Sequence, residues 1–273
     1  MKPLLCALVV VLVVVFVVVL SRPKGKPPWP QKIQPHQRHR VKLSVEDGRM
    51  LFIVNGQTFN VPRYPSFDVR RSEYVIAELL ELLDQTQAAF AKMNIRWWLA
   101  GGGGLGWARN GALIPWDDDL DLHVHFDDFA KLLSSELRRE LDPLIIAHHK
   151  GNGLFKVSAA ARRFPFIDVL LKRPNGRNLW ETVDVEPRDD NGYSPHHQLR
   201  WDVALRDELE TVPEPAIFPL QPITLHGVPC YLPRDLQLAV TKQYGKNALT
   251  EVPSRAISHF HPLLEKFTTR VRT

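Results

Sequence analysis

Four aspartates fall within five residues, Asp117, Asp118, Asp119 and Asp121, and His123 and His125 follow them. From Trp116 onward the segment alternates. Asp117, Asp119, Asp121, His123 and His125 share one parity. Trp116, Leu120, Leu122, Val124 and Phe126 share the other with Asp118. This is the pattern of a strand with a buried face and a functional face. Residues i and i+2 on a strand stand about 6.6 Å apart, close enough for two carboxylates to converge on one small ion with oxygens at about 2.1 Å. Without a counter-charge they repel, by about 4 kcal/mol at 4 Å and an effective dielectric of 20. An all-oxygen set favours Mg²⁺ or Mn²⁺ over zinc. Asp119 and Asp121 lie inside the strand and are the expected metal pair, whereas Asp117 sits at its mouth and Asp118 faces the other way. The bland alternative is an exposed acidic turn.

A glycine run, Gly101–Gly104 and then Gly106, precedes the acids and follows an apolar stretch, Ile95–Ala100. Glycines let a backbone approach a phosphate and turn N–H groups toward it. Arg109 adds a fixed charge with bidentate geometry, and Leu105–Arg109 could open a short helix whose N-terminus favours anions. Flexible linkers also contain glycine runs. A run between two apolar strands, the second with an acidic face, suggests a phosphate cradle opposite a divalent ion, hence a nucleotide-diphosphate site. Further on, FPFIDVLLK (Phe164–Lys172) holds one acid, Asp168, in an apolar strand. Burying it alone is costly, and a shared ion would offset that cost, so Asp168 is expected as third ligand or as base.

The stretch GGGLGWARNGALIPWDDDLDL resembles the motif of the LicD and fukutin-related family, nucleotidyltransferase-fold enzymes that move phospho-alcohols from CDP-activated donors onto glycans. Phe164–Lys172 is similar to their third-carboxylate strand and Ile217–Gly245 to their closing segment. The resemblance spans about Trp97 to Gly245. It implies that Asp119, Asp121 and Asp168 hold Mg²⁺ or Mn²⁺, and that Gly102, Gly103, Gly104 and Arg109 hold donor phosphate. Lys156 stands where the family often has a basic or polar residue near the donor; the alternative for it is a surface lysine. One departure is Gly103, where the family usually has a hydroxyl residue, which removes a side-chain hydrogen bond to phosphate.

The activity implied is transfer of phosphocholine, ribitol phosphate or a similar group from a CDP-linked donor to the hydroxyl of a glycoprotein or glycolipid. Two other functions stay open. Asp119-Leu120-Asp121 also fits the DxD motif of nucleotide-sugar glycosyltransferases, and a non-catalytic glycan-binding relative would tolerate Gly103. His123 could join the metal, but lining the cleft rim or facing solvent is the stronger reading for it and for His125. No HExxH, GxSxG or phosphate-loop motif occurs.

The elements that must position these residues follow in order. The chain has 273 residues, enough for one substantial domain and a small attachment. Leu4–Leu20 is an uncharged apolar run, read as an uncleaved signal anchor over residues 1–20, with a cleaved signal as the alternative. Residues 21–42 form a basic, proline-rich stem. Its seven lysines and arginines, with Lys2, account for more than the whole net charge of +5. The remainder is net negative and gives no support for nucleic-acid binding. Positive charge after the span favours a cytosolic domain, whereas the resemblance implies a luminal one at the ER or Golgi membrane. Cys230 is the one cysteine outside the apolar run, so no disulfide within the domain is available.

Residues 43–66 read as an accessory β-meander with Asp47-Gly48 and Asn55-Gly56 as hairpin turns. Residues 67–273 are the expected catalytic domain. Its first helix runs from an N-cap at Ser72 to Met93, and a second is expected over Asp127–Leu141. Strands are expected at 144–147, 154–159, 164–171 and 180–185, with a polar loop at 187–195. A hairpin turning at Gly227 and a helix closing at Gly245 complete it. The fold class is thus α/β: a nucleotidyltransferase-like mixed sheet with flanking helices, preceded by an anchor and a small meander.

Overall fold

The computed structural model describes residues 38–149, 154–160, 164–174, 179–182 and 211–252. The anchor, most of the stem and the 187–195 loop lie outside the described residues. Among those described, no helix is long and apolar enough to cross a membrane.

Three strands open the structure: β1 (Val41–Glu46), β2 (Arg49–Val54) and β3 (Gln57–Val61), paired antiparallel in that order. Asp47-Gly48 and Asn55-Gly56 make both turns with positive φ at each residue, 50° and 72°, then 52° and 87°. Two consecutive left-handed residues are what a two-residue type I′ hairpin requires. The inner face of this sheet (Leu43, Met50, Phe52, Val54, Val61) lies in the same hydrophobic core as the main helix and sheet. The meander is packed as part of the domain.

Helix α1 (Val69–Lys92) is capped four residues before the expected cap. Asp68 is the cap, its carboxylate accepting from the Arg71 N–H at 3.1 Å. Ser72 is buried instead. The apolar stripe of α1, including Val75, Leu79, Leu82, Leu83 and Phe90, faces the core.

The mixed sheet is built on β5 (Asp119–His125) and β8 (Phe166–Pro174), which run parallel. On one side β4 (Trp97–Ala100) pairs antiparallel with β5. On the other, β7 (Leu154–Ala159) lies along the first half of β8, with β6 (Leu144–His149) beyond it. β9 (Leu179–Thr182) lies along the last part of β8 and carries β10 (Val212–Pro213). One face of the sheet, with Leu99, Leu120, Leu122, Val124, Phe155, Val157, Ile167, Val169 and Leu171, is buried in the core with α1.

Between β4 and β5 stands helix α2 (Gly101–Asn110). After β5 the expected single helix is broken. A 3-10 turn (Phe126–Asp128) leads into α3 (Phe129–Leu132), and α4 (Ser135–Leu141) restarts from Ser134. The break follows from local capping: Ser134 Oγ accepts the Leu137 N–H at 3.1 Å, satisfying a new helix start in mid-run. Asp128 stands at the N-cap of α3 without a side-chain cap bond; its carboxylate accepts from the Arg96 N–H and Nε and pairs with Lys131. The closing part holds α5 (Glu214–Ile217), the hairpin of β11 (Gln221–Leu225) and β12 (Val228–Leu232), and α6 (Leu236–Tyr244), which Gly245 ends as expected.

His226 links three of these parts. It shares a left-handed hairpin turn with Gly227, at φ 52° and 92°. Its Nε2 accepts the Leu113 N–H at 3.1 Å, and its ring meets Phe52 and Phe59 edge-on. Burial pushes its pKa down to about 4, so the ring is neutral and can accept that bond.

If the meander is part of the core, Phe52→Ala, at a fully buried site, should cost about 3–5 kcal/mol. Val45→Ala, at a site 52% exposed, should cost less than about 0.5 kcal/mol. Urea denaturation of both variants checks this, and two equally small effects would make the sheet an outlying collar.

Candidate active site

The strand register brings the functional residues together. Ala100 on β4 pairs with Asp121 on β5, Asp121 with Asp168 on β8, and Asp168 with Lys156 on β7. One row across four strands therefore carries two carboxylates and an ammonium, side by side on the sheet face opposite the α1 core. Asp119 stands one pleat before Asp121 on the same face. Asp119, Asp121 and Asp168 each offer an oxygen lying within 4.8 Å of the others. An ion with bonds of about 2.1 Å spans at most about 4.2 Å between two ligands. The three oxygens are therefore near enough to converge on one ion by side-chain adjustment, and an all-oxygen set suits a hard divalent cation. Asp117, Asp118 and Asp119 form a second such group, sharing Asp119 with the first.

The glycine run corrects one expectation. It is not a loop before a helix: the helix starts at Gly101 itself, directly from the end of β4. Gly101 has φ 51°, a conformation that favours glycine. A β-carbon there would overlap the Asp121 carboxylate, and one on Gly102 would overlap that of Asp117. The first two glycines thus clear space for carboxylates laid against the helix start. The N-terminal end of α2 carries partial positive charge and amide donors without intrahelical partners, so it draws acids and phosphates alike. Gly104 packs toward Leu236. At Gly106 a β-carbon would stand 2.5 Å from the Ala112 carbonyl oxygen, so that position is held small by the loop returning to β5.

Gly103 does not face the acids. A β-carbon there would lie 3.2 Å from Leu120 Cδ2 and 3.4 Å from Leu99 Cδ2, inside the apolar layer. A side chain at 103 would start into that apolar layer, away from the acids.

Arg109 is likewise not brought to the site. It lies in the last turn of α2, eight residues and about 12 Å along the axis from Gly101. Its Nε donates to the Ala248 carbonyl at 2.8 Å, and a terminal nitrogen donates to the Glu251 carbonyl. Its role here is to tie down the segment after α6.

Lys156 does reach the site. Its ammonium donates to Asp168 Oδ1 and sits 3.6 Å from the centre of the Phe166 ring. Asp118 precedes β5 and is buried beside Arg71, with a guanidinium nitrogen 3.9 Å from Oδ2. Burial lowers the Arg71 pKa, and Asp118 opposes that shift. The same guanidinium lies 5.8 Å from the centre of the Phe164 ring. Arg71 was not legible as a site residue, because a cation in the first turn of a helix normally faces solvent. His123 lies on the face of the acids, one pleat beyond Asp121, but belongs to neither acid group. It meets Trp98 edge-on, and burial, then nearby Lys172, depresses its pKa well below the usual histidine value.

A family described as LicD/FKTN/FKRP, nucleotidyltransferase domain, matches residues 94–235, the span from the strand before α2 to the start of α6. A protein of Rickettsia typhi, named only as uncharacterized protein RT0683, is 37% identical over 59 residues, covering 22% of this chain and 19% of its own length. Ribitol 5-phosphate transferase FKRP of Mus musculus and that of Homo sapiens are each 53% identical over 35 residues, covering 13% of this chain and 7% of theirs. The matched segments are thus small parts of these relatives.

If Gly101 exists to seat Asp121, Gly101→Ala should weaken Mn²⁺ binding by about 10–100-fold. Gly103→Ala, whose new methyl meets only the flexible ends of two leucines, should leave it nearly unchanged. Mn²⁺ titration of both folded variants checks this, and equal affinities would contradict it.

Proposed function

Since this chain belongs to the LicD/FKTN/FKRP nucleotidyltransferase-domain family, we propose that it transfers a phospho-alcohol from a CDP-linked donor to a glycan hydroxyl. The observation that carries this reading is the acid set at the start of α2: Asp119, Asp121 and Asp168, each with an oxygen within 4.8 Å of the others. Phospho-alcohol transfer in general follows the family. The CDP donor, the cation and the glycan acceptor are proposals that the site chemistry supports.

In the proposed reaction the acceptor oxygen bonds to the phosphorus of the phospho-alcohol. The bond from that phosphorus to the CMP oxygen breaks, CMP leaves with the bonding electron pair, and the hydroxyl proton passes to water. Asp119, Asp121 and Asp168 would hold Mg²⁺ or Mn²⁺, which when bound neutralises charge on the diphosphate and polarises its oxygens. The amides of the first turn of α2 offer hydrogen bonds to the leaving phosphate. Strands β5 and β8 fix the register of Asp121 against Asp168, so the acids are ordered before substrate arrives. The apolar layer behind them, Leu120, Leu122, Ile167 and Val169, holds the two strands rigid and is closed to water. A luminal site in the ER or Golgi, with the chain anchored through residues 1–20, would place it beside glycan acceptors. The ribitol phosphate named for the FKRP relatives makes CDP-ribitol the first donor to try.

CMP release from CDP-ribitol, CDP-glycerol and CDP-choline with Mn²⁺ and a glycan acceptor tests the proposal. Asp121→Asn should lower release by at least about a hundredfold while the melting temperature stays at or above that of the wild type, because one of the clustered charges is removed. A variant that fails to fold would show that the acid is structural.

A further inference from the structure

We propose that Lys156 is an interlock between cation and donor: it occupies Asp168 while the site is empty and moves to the donor diphosphate when a cation takes that carboxylate. This rests on the metal-site reading above and assigns a duty to a residue outside the acid set.

Two contacts carry the proposal. The ammonium donates to Asp168 Oδ1, an oxygen of the group that would complete the cation's ligand set. It also sits over the Phe166 ring, 3.6 Å from the centre. The seat is built by register. Lys156 pairs with Asp168 across β7 and β8, and Phe166 is two residues before Asp168 on the same strand face. Neither partner is well exposed, the side chains of Lys156 and Asp168 being 26% and 16% accessible, so the pair is weakly screened by water.

A carboxylate oxygen that accepts from an ammonium is withdrawn in part from a cation, and the two positive charges repel at such range. The ring offers what the carboxylate does not. Its face attracts the ammonium without competing for the cation, so Lys156 can release Asp168 and stay at the site. Lysine suits this duty because it is a compact charge on a flexible stem, whereas a guanidinium fork would be tied to planar partners. Once displaced, the ammonium stands at the row that carries Asp121 and Asp168 and is attracted to any diphosphate bound there. Cation and donor then bind cooperatively. The first displaces the lysine and the second satisfies it, and by linkage each strengthens the other.

The test is Mn²⁺ affinity of the full chain, measured by titration with and without CDP, for the wild type, Lys156→Met and Lys156→Arg. Lys156→Met should bind Mn²⁺ about tenfold more tightly than the wild type when CDP is absent, and CDP should strengthen its Mn²⁺ binding less than in the wild type. Lys156→Arg keeps the charge and, held on the Asp168 carboxylate by its planar fork, should bind Mn²⁺ no more tightly than the wild type without CDP. If the methionine variant does not fold, Lys156→Gln is expected to shift in the same direction. Unchanged or weaker Mn²⁺ binding by the neutral variant, with the wild type still binding, would overturn the interlock and leave the metal-site reading standing. No Mn²⁺ binding by any of them would remove the metal-site reading and the interlock with it.

Discussion

The structure turns on one close approach: the Asp121 carboxylate laid against the backbone of Gly101, where β4 becomes α2. No side chain fits between them. Three consequences meet at that contact. The positive end of α2 lies beside the acids and offsets part of their mutual repulsion. The pairing of Ala100 with Asp121 fixes where the helix begins relative to β5. The parallel register of β5 and β8 then brings Asp168 alongside Asp121. A helix start one residue later, or a one-residue slip of β8, would turn these groups away from one another.

The rest of the domain holds that junction still. The acids have an apolar layer on the other side of their own strands, and α1 and the opening meander pack against that layer in a single core. His226 binds the returning loop between α2 and β5 through the Leu113 amide while wedged against Phe52 and Phe59. The closing hairpin thereby supports the segment that delivers Asp117 to Asp119. Arg109 ties the far end of α2 to the residues after α6. Both ends of the helix are thus fixed, one by acids and the other by a cation binding backbone carbonyls.

Much of this was legible in the sequence where a local rule governs. The alternation from Trp116 to Phe126 identified β5 and its two faces. The Asp-Gly and Asn-Gly pairs identified two hairpins, and a lone acid in FPFIDVLL marked Asp168. Illegible features were those that depend on what lies across space. Glycine is a poor helix former, so four in a row read as a loop, but here they make the first turn because the space above two of them belongs to carboxylates. Arg109 matched a phosphate ligand by type and by distance along the chain, yet helical geometry carries it to the wrong end. Arg71 reaches Asp118 through tertiary packing and leaves no signal in spacing. Lys156, placed near the donor by the family resemblance, reaches Asp168 through strand register. The break after α3 was masked by an apolar periodicity that continues through a competing cap at Ser134.

The most direct test of the central claim, that the acids at the start of α2 are a cation-dependent nucleotide site, is the melting temperature of the full chain with CDP, UDP or GDP, each with and without Mn²⁺. A ligand at a hundred times its dissociation constant adds about 2.7 kcal/mol of stability. The account predicts a rise with CDP that needs Mn²⁺ and is lost in Asp121→Asn. A rise with UDP or GDP alone, or none with any nucleotide for a folded protein, would contradict it.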